Sequence, residues 1–341
     1  MKISFLVTYY NQKQYVSQSI ENILAIHKPC QWEILVGDDG SSDGTQDVVR
    51  EYICKYPDNI SLHIMPRDPA VKYAPVQRAS ANRINLLEKA TGDFYCILDG
   101  DDYYCDTSFV KEAIRIFQEN DHIAAVMYGY KHVINGIDGE HYTLPPEYHE
   151  SVIDKGVYLD SLYTPAGACV FRRINDIQRM QLLKDIGYFD DNDILIYNMH
   201  FGDLYCINRV IYAYRQTGCS VYTSMDHLEQ AVLNVQGYDV DSKLIDIQYT
   251  KNLLKRNAAN IIKMFIWRKD LRNMLGEQKY LSYLYGCESI GDSLAHDILL
   301  YNSFSRREQK RIREKMYPIM FCNAKTTIKA MLRRFVDQYR R

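Results

Sequence analysis

Residues 94–106 read FYCILDGDDYYCD. A run of strand-type residues, FYCIL (94–98), breaks off into Asp99, Gly100, Asp101 and Asp102, with Asp106 just beyond. Like charges this close repel, most strongly where water is excluded. Such a turn either holds something positive or lies open to solvent, and the sequence around it decides which.

Upstream, strand and helix signals alternate. ISFLVT (3–8), WEILVG (32–37) and SLHIM (61–65) read as strands. YVSQSIENILA (15–25), TQDVVREYICKY (45–56) and ANRINLLEKATG (81–92) carry apolar residues at helical spacing. Asp43 or Thr45 is placed to cap the second helix. Continuous apolar strands between amphipathic helices predict a mostly parallel sheet covered on both faces. Ligands of such sheets bind beyond the carboxyl ends of the strands. Thr8, Asp38, Asp39, Asp99 and Asp101 all fall at those ends, which puts the acidic turn in the expected crevice. Downstream, residues 131–224 read as irregular, with a hairpin signal at Asn135-Gly136. From about 225 onward helical periodicity dominates. The expected division is 1–224, with halves 1–130 and 131–224, followed by an α-helical region over 225–341.

Bulk properties narrow the class. The 341 residues carry a net charge of -2, which argues against a chain-wide nucleic-acid binder. Nine cysteines form no C-x-x-C pair, so zinc-ribbon and thioredoxin-type readings find no support. They read as reduced, core-filling thiols. No signal peptide or membrane span is evident, so a cytoplasmic location is expected.

Four constellations could carry chemistry. Asp99-Gly100-Asp101 offers two hard oxygen ligands for Mg²⁺ or Mn²⁺. A bare D-x-D is unspecific, since Asp191-x-Asp193 and Asp239-x-Asp241 also occur; its place after a strand is what singles this one out, and a solvated turn is the alternative. In VGDDGSSDGT (36–45) a carboxylate could accept the N–H of a base, or the stretch could be an ordinary capped turn. In GYFDDNDILIYN (187–198), Asp190, Asp191 or Asp193 could act as general base, or simply favour a helix N-terminus. Arg215, in IYAYRQTGCS (211–220), follows a short strand and could fork onto phosphate or lie on the surface.

Taken in order and spacing, ISFLVTYYNQKQYVSQSIENILA, EILVGDDGSSDGT and KATGDFYCILDGDDYY resemble the family 2 glycosyltransferases, inverting enzymes of the GT-A fold. The resemblance covers residues 2–130 strongly and extends more weakly to about 222. It implies an α/β, Rossmann-like GT-A domain and a sugar-nucleotide donor. Thr8 and Tyr10 match positions that frame the base. Asp39 matches the carboxylate that bonds the uracil N–H, with Asp38 beside it. Arg78 and Arg83 are both candidates for nucleotide contact. Asp99 would meet the ribose or sugar, with Gly100 in the same set, and Asp101 would hold the metal, assisted by Asp99 or, as understudy, Asp102. The family's Glu-Asp pair corresponds to Asn192-Asp193, so Asp193 is the expected base and Asp191 the alternative. Tyr214-Arg215 matches a later Tyr-Arg pair, but the His that follows in relatives is replaced by QTGCS.

These readings lead to the expectation of a metal-dependent inverting transfer of a sugar, most simply UDP-linked, to a glycan hydroxyl, and the resemblance implies bacterial surface-polysaccharide synthesis. One rival is a sugar nucleotidyltransferase, which should carry a Gly-rich loop where TYYNQKQY has none. The other is a non-catalytic sugar-binding scaffold, kept open by Asn192. The C-terminal segment 305–341 holds twelve Lys or Arg against three acids. Within it Ile328, Met331, Leu332, Phe335, Val336 and Tyr339 form one helical stripe. An anionic surface on the inner face of the cell membrane, where a lipid-linked acceptor would lie, is one partner such a stripe could take; a second subunit of a homo-oligomer or the protein's own core are the others.

Overall fold

The computed structural model describes residues 1–68, 70–217, 291–320 and scattered positions between 237 and 262. The chain divides into two compact units. One comprises Met1–Lys155 with Tyr163–Ser224, the other Gly156–Leu162 with Met225–Arg341.

In chain order the first 217 residues form β1 (Lys2–Tyr9), α1 (Lys13–Ala25), β2 (Gln31–Asp38), α2 (Thr45–Lys55), β3 (Ile60–Ile64), α3 (Pro75–Lys89), β4 (Phe94–Asp99), β5 (Tyr103–Tyr104), α4 (Phe109–Glu119), β6 (Ile123–Ile134), β7 (Ile137–Tyr142), β8 (Ser151–Ile153), α5 (Lys155–Ser161), β9 (Cys169–Arg172), α6 (Ile177–Ile186), α7 (Asp191–Met199) and β10 (Asp203–Gln216). The strands make one mixed sheet in the order β3-β2-β1-β4-β9-β6-β10-β5. The first four run parallel, as their continuous apolar letters require: Ile3, Phe5, Leu6 and Val7 of β1 are fully buried, as are Ile34 and Val36 of β2. Helices cover them, with Val16, Ile20 and Ile23 of α1 facing inward. The register sets Thr8 level with both Gly37 and Asp99, and Tyr9 level with Asp38. Three strand ends therefore open on one edge.

Two expectations are corrected. The stretch read as irregular contains the 14-residue strand β10, parallel to β6 across most of its length. Register shifts between Asp203 and Leu204, Cys206 and Val210, and Val210 and Tyr212 break the two-residue alternation that would have revealed it. The cysteines are not uniformly core-filling: Cys96, Cys169 and Cys206 are buried, whereas Cys54 and Cys105 are exposed. The hairpin at Asn135-Gly136 is present. Both residues adopt positive φ, 52° and 78°, as a tight turn between twisted strands demands.

In the second unit, helices span Gly291–Leu299 and Arg306–Met320. Leu294, Ala295, Ile298, Ile312 and Met316 are buried. The stripe over 328–339 lies outside the described residues. Among the described residues, no helix is long and apolar enough to cross a membrane.

Candidate active site

Where β2 ends, Asp38 and Asp39 go separate ways. Asp38 is fully buried, and its Oδ1 accepts the Ser41 N–H at 2.9 Å and Gln46 Nε2 at 2.6 Å. It shapes the turn. Asp39 is gripped by two arginines: Arg78 Nε donates to its Oδ1 at 2.6 Å, and the guanidinium of Arg67 pairs with its Oδ2. Arg67 Nε also donates to the Asp39 carbonyl at 2.7 Å. The Arg67 guanidinium lies 3.9 Å from the ring centre of Tyr10, an exposed side chain. This builds a charge-balanced ledge with an aromatic face beside it. Nothing in the spacing pointed to Arg67; it follows β3 in HIMPRDP, a stretch without a motif.

Thr8 does not join Tyr10. Its hydroxyl donates to Asp99 Oδ1 at 3.1 Å, because it still sits within β1 beside β4, whereas Tyr10 lies past the end of the strand. Arg78 and Arg83 likewise part. Arg78 serves Asp39. Arg83 Nη2 donates to both oxygens of Asp99 at 2.9 Å.

The turn after β4 is tightly built. A Cβ on Gly100 would stand 2.0 Å from the Tyr9 ring and 2.7 Å from the Thr8 carbonyl. Only glycine fits there, so Gly100 has a packing reason independent of any ligand. Asp102 is 2% exposed and accepts the Arg215 N–H at 2.6 Å together with the Tyr212 hydroxyl. Burial, then the charges of Asp101 and Asp99, push its carboxyl well above the usual range. Burial followed by the Asp99 charge raises Asp101 to about 6. Arg215 is drawn to the same turn. Its Nη1 donates to the Asp101 carbonyl and its Nη2 to Gln18 Oε1, and the group lies 4.4 Å from the Tyr15 ring centre.

Opposite stands the start of α7. Asp190 is its N-cap, and Asp193 sits at the third helical position, where it accepts the Asp190 N–H at 3.0 Å in a reciprocal capping box. The expected base, Asp193, is thus 2% exposed and committed to the helix end. That contact gives Asp193 a structural part at the helix end, beside the role expected of it on sequence alone. Asp191 is partly exposed; it accepts the Ala166 N–H at 3.1 Å and the Tyr163 hydroxyl at 3.4 Å. Burial, then the charges of Asp190 and Asp99, raise its carboxyl to about 7 against the opposing pull of Arg83.

The fit of a divalent cation can be judged from the donor set. Among the described residues, no group of three or more His, Cys, Asp or Glu side chains is arranged to hold a metal by itself. Mg²⁺ and Mn²⁺ sites need less, since one or two carboxylates suffice when phosphates and waters complete the shell. Asp101, crowded by Asp99 and partly stripped of water, is a carboxylate that a cation would relieve.

A mixed, mostly parallel sheet with these carboxylates at its edge is the GT-A architecture. The Glycosyl transferase family 2 model matches residues 4–176, half of the chain, and the chain belongs to that family. A Bacillus subtilis protein bearing the name glycosyltransferase EpsE is 33% identical over 101 residues, 30% of this chain and 33% of its own length. Another from the same species, TuaG, named for teichuronic acid biosynthesis, is 28% identical over 100 residues, 29% of this chain and 36% of its own. The matches thus span about a third of these relatives. In three dimensions the chain resembles S. aureus TarS 1-349, solved with UDP-GlcNAc, at a TM-score of 0.57 and 16% identity over 96% of this chain and 92% of that one. That likeness speaks to the fold.

Proposed function

We propose that the protein is an inverting glycosyltransferase that uses a nucleotide-diphospho-sugar, UDP-linked, and a divalent cation to glycosylate a hydroxyl in bacterial surface-polysaccharide synthesis. One observation carries this reading: Arg83 pairs with Asp99 at the acidic turn and with Asp190, which caps the helix that begins at Asp191. The names EpsE and TuaG support the polysaccharide context, and TarS, bound to UDP-GlcNAc, supports the donor class.

In this reading Tyr10 and Asp39, the latter held by Arg67 and Arg78, receive the base. Asp99 meets the ribose or sugar, and Thr8 fixes that carboxylate. Asp101 would hold the cation, which when bound neutralises charge on the diphosphate leaving group. Arg215, on β10 and hydrogen-bonded to that turn, would face the phosphates. Asp191 accepts a proton from the acceptor hydroxyl as its oxygen attacks the anomeric carbon from the side opposite the diphosphate. One displacement inverts that carbon. Residues 1–224 would do this work, with 225–341 as a separate helical region and its basic end against an anionic membrane.

The test is UDP release from UDP-GlcNAc by the purified chain, with Mn²⁺ and with chelator. Metal-dependent release supports the reading. Uptake of UDP without any turnover would favour the scaffold alternative. With an acceptor in hand, a product of retained anomeric configuration would exclude the single displacement.

A further inference from the structure

Arg83 lies on α3, is 7% exposed, and bridges the two sides of this chemistry. Its Nη2 donates to both oxygens of Asp99, each at 2.9 Å. Its Nη1 donates to Asp190 Oδ1 at 3.0 Å and to the Phe189 carbonyl at 3.4 Å. Asp99 ends the strand on the donor side. Asp190 caps the helix whose first residue is Asp191. Pairing with one carboxylate needs only one cation of any shape. Spanning two, from elements far apart in sequence, needs the planar fork that arginine has and lysine lacks.

We propose that Arg83 is a positioning residue that couples filling of the donor side to the placement of Asp191. The inference rests on the reading above. A cation or hydroxyl brought to Asp99 competes with Arg83 for that carboxylate. Asp190 then receives the larger share of the guanidinium, and the first turn of α7 is held more tightly. The coupling is reciprocal, as linkage requires: a firmly held α7 favours a filled donor side. It orders the reaction, since the base is set only after the donor arrives.

Amide hydrogen exchange on the full chain, with UDP and Mn²⁺ as probe, tests this without turnover. In the wild type, adding the probe should slow exchange across residues 189–199. In Arg83→Lys that response should vanish, while UDP still protects the end of β4. For UDP release from UDP-GlcNAc, Arg83→Lys should lower kcat by about 10- to 100-fold. KM for the donor should stay within about threefold. Asp190→Asn should cause a similar loss, and the double variant no further one, because the two act as a unit. An intact exchange response in Arg83→Lys overturns the coupling, as do losses that multiply in the double variant. A raised KM at unchanged kcat would make Arg83 a direct donor contact instead. Should Arg83→Lys fail to fold, Asp190→Asn decides: a full response there refutes the proposal. A wild-type chain that takes up UDP yet shows no change at 189–199 sinks the coupling alone. One that takes up no UDP at all sinks the functional reading, and the coupling with it.

Discussion

Two strands flank β1, both end in crowded carboxylates, and the protein balances their charge in opposite ways. At the end of β2, Asp38 is absorbed by Ser41 and Gln46, and Asp39 faces the guanidiniums of both Arg67 and Arg78. At the end of β4, three carboxylates share Arg83, which is also divided with Asp190, and Arg215, which reaches the turn through the Asp101 carbonyl and its own backbone N–H. The first turn is balanced; the second is left short of positive charge. In the proposed reading a cation comes to the second, where burial and the Asp99 charge hold the Asp101 carboxyl above its usual range. The same sequence pattern, a strand followed by Asp-Asp or Asp-x-Asp, thus yields an arginine-paired ledge in one place and an acidic cleft in the other.

The largest test of that division concerns the carboxylate facing the second turn. Asp191→Asn should cut UDP release by about 10² to 10⁴ while leaving UDP affinity unchanged. Asp193→Asn should instead lower the unfolding free energy by about 1 kcal/mol, the cost of a lost cap, with activity kept in the folded fraction. Reversed outcomes would return the base to Asp193. The rate should also climb with pH through about 7, because Asp191 must be ionised to take a proton. A flat profile from about pH 6 to 8 would remove it from that role.

Next comes a crossed pair, read by titration calorimetry. Arg78→Met should weaken UDP binding by about 10- to 100-fold with or without Mn²⁺, the worth of a charged hydrogen bond. Asp101→Ala should erase only the increment that Mn²⁺ adds. Equal losses from both without metal would show that the turns are not divided as described. Gly100→Ala should lower stability by about 1 to 3 kcal/mol, since its methyl must displace the Tyr9 ring. An unchanged urea midpoint would mean that Tyr9 yields freely.

The smallest effect is a gain. The native Asp101 carboxyl sits above its unfolded value, so ionising it costs stability that is lost as pH rises through about 4 to 6. Asp101→Asn should therefore raise the melting temperature of the metal-free protein at about pH 8 and not at about pH 4. A gain of equal size at both would point to packing rather than charge.

The sequence exposed β1, β2, β4 and the helices between them because parallel strands buried on both faces are continuously apolar, as in ISFLVT and FYCIL. It hid most of β10, beyond the short strand before Arg215, behind the shifted registers of DLYCINRVIYAYRQ. At the site, the edge carrying Thr8, Asp38 and Asp99 was legible from strand ends alone. The different surroundings of Asp191 and Asp193 were not, since a carboxylate in a capping box and one that accepts the Tyr163 hydroxyl are the same letter two positions apart. Arg78 and Arg83 were indistinguishable for a similar reason: both lie on α3, and only the tertiary partners, Asp39 for one and Asp99 with Asp190 for the other, separate them.

The bond between Asp102 and Arg215 joins positions 113 residues apart. Chains emerge from the ribosome N-terminus first, at about 5 to 20 residues per second, so Asp102 waits about 6 to 23 s for Tyr212 and Arg215 to be synthesised. During that interval β1 to β4 can already assemble, but the acidic turn must keep Asp102 in water or protonated. The cleft is thus the last part of its domain to mature on the nascent chain. A fragment that stops at residue 176, although it holds every carboxylate of the turn, would leave that turn permanently in its unfinished state.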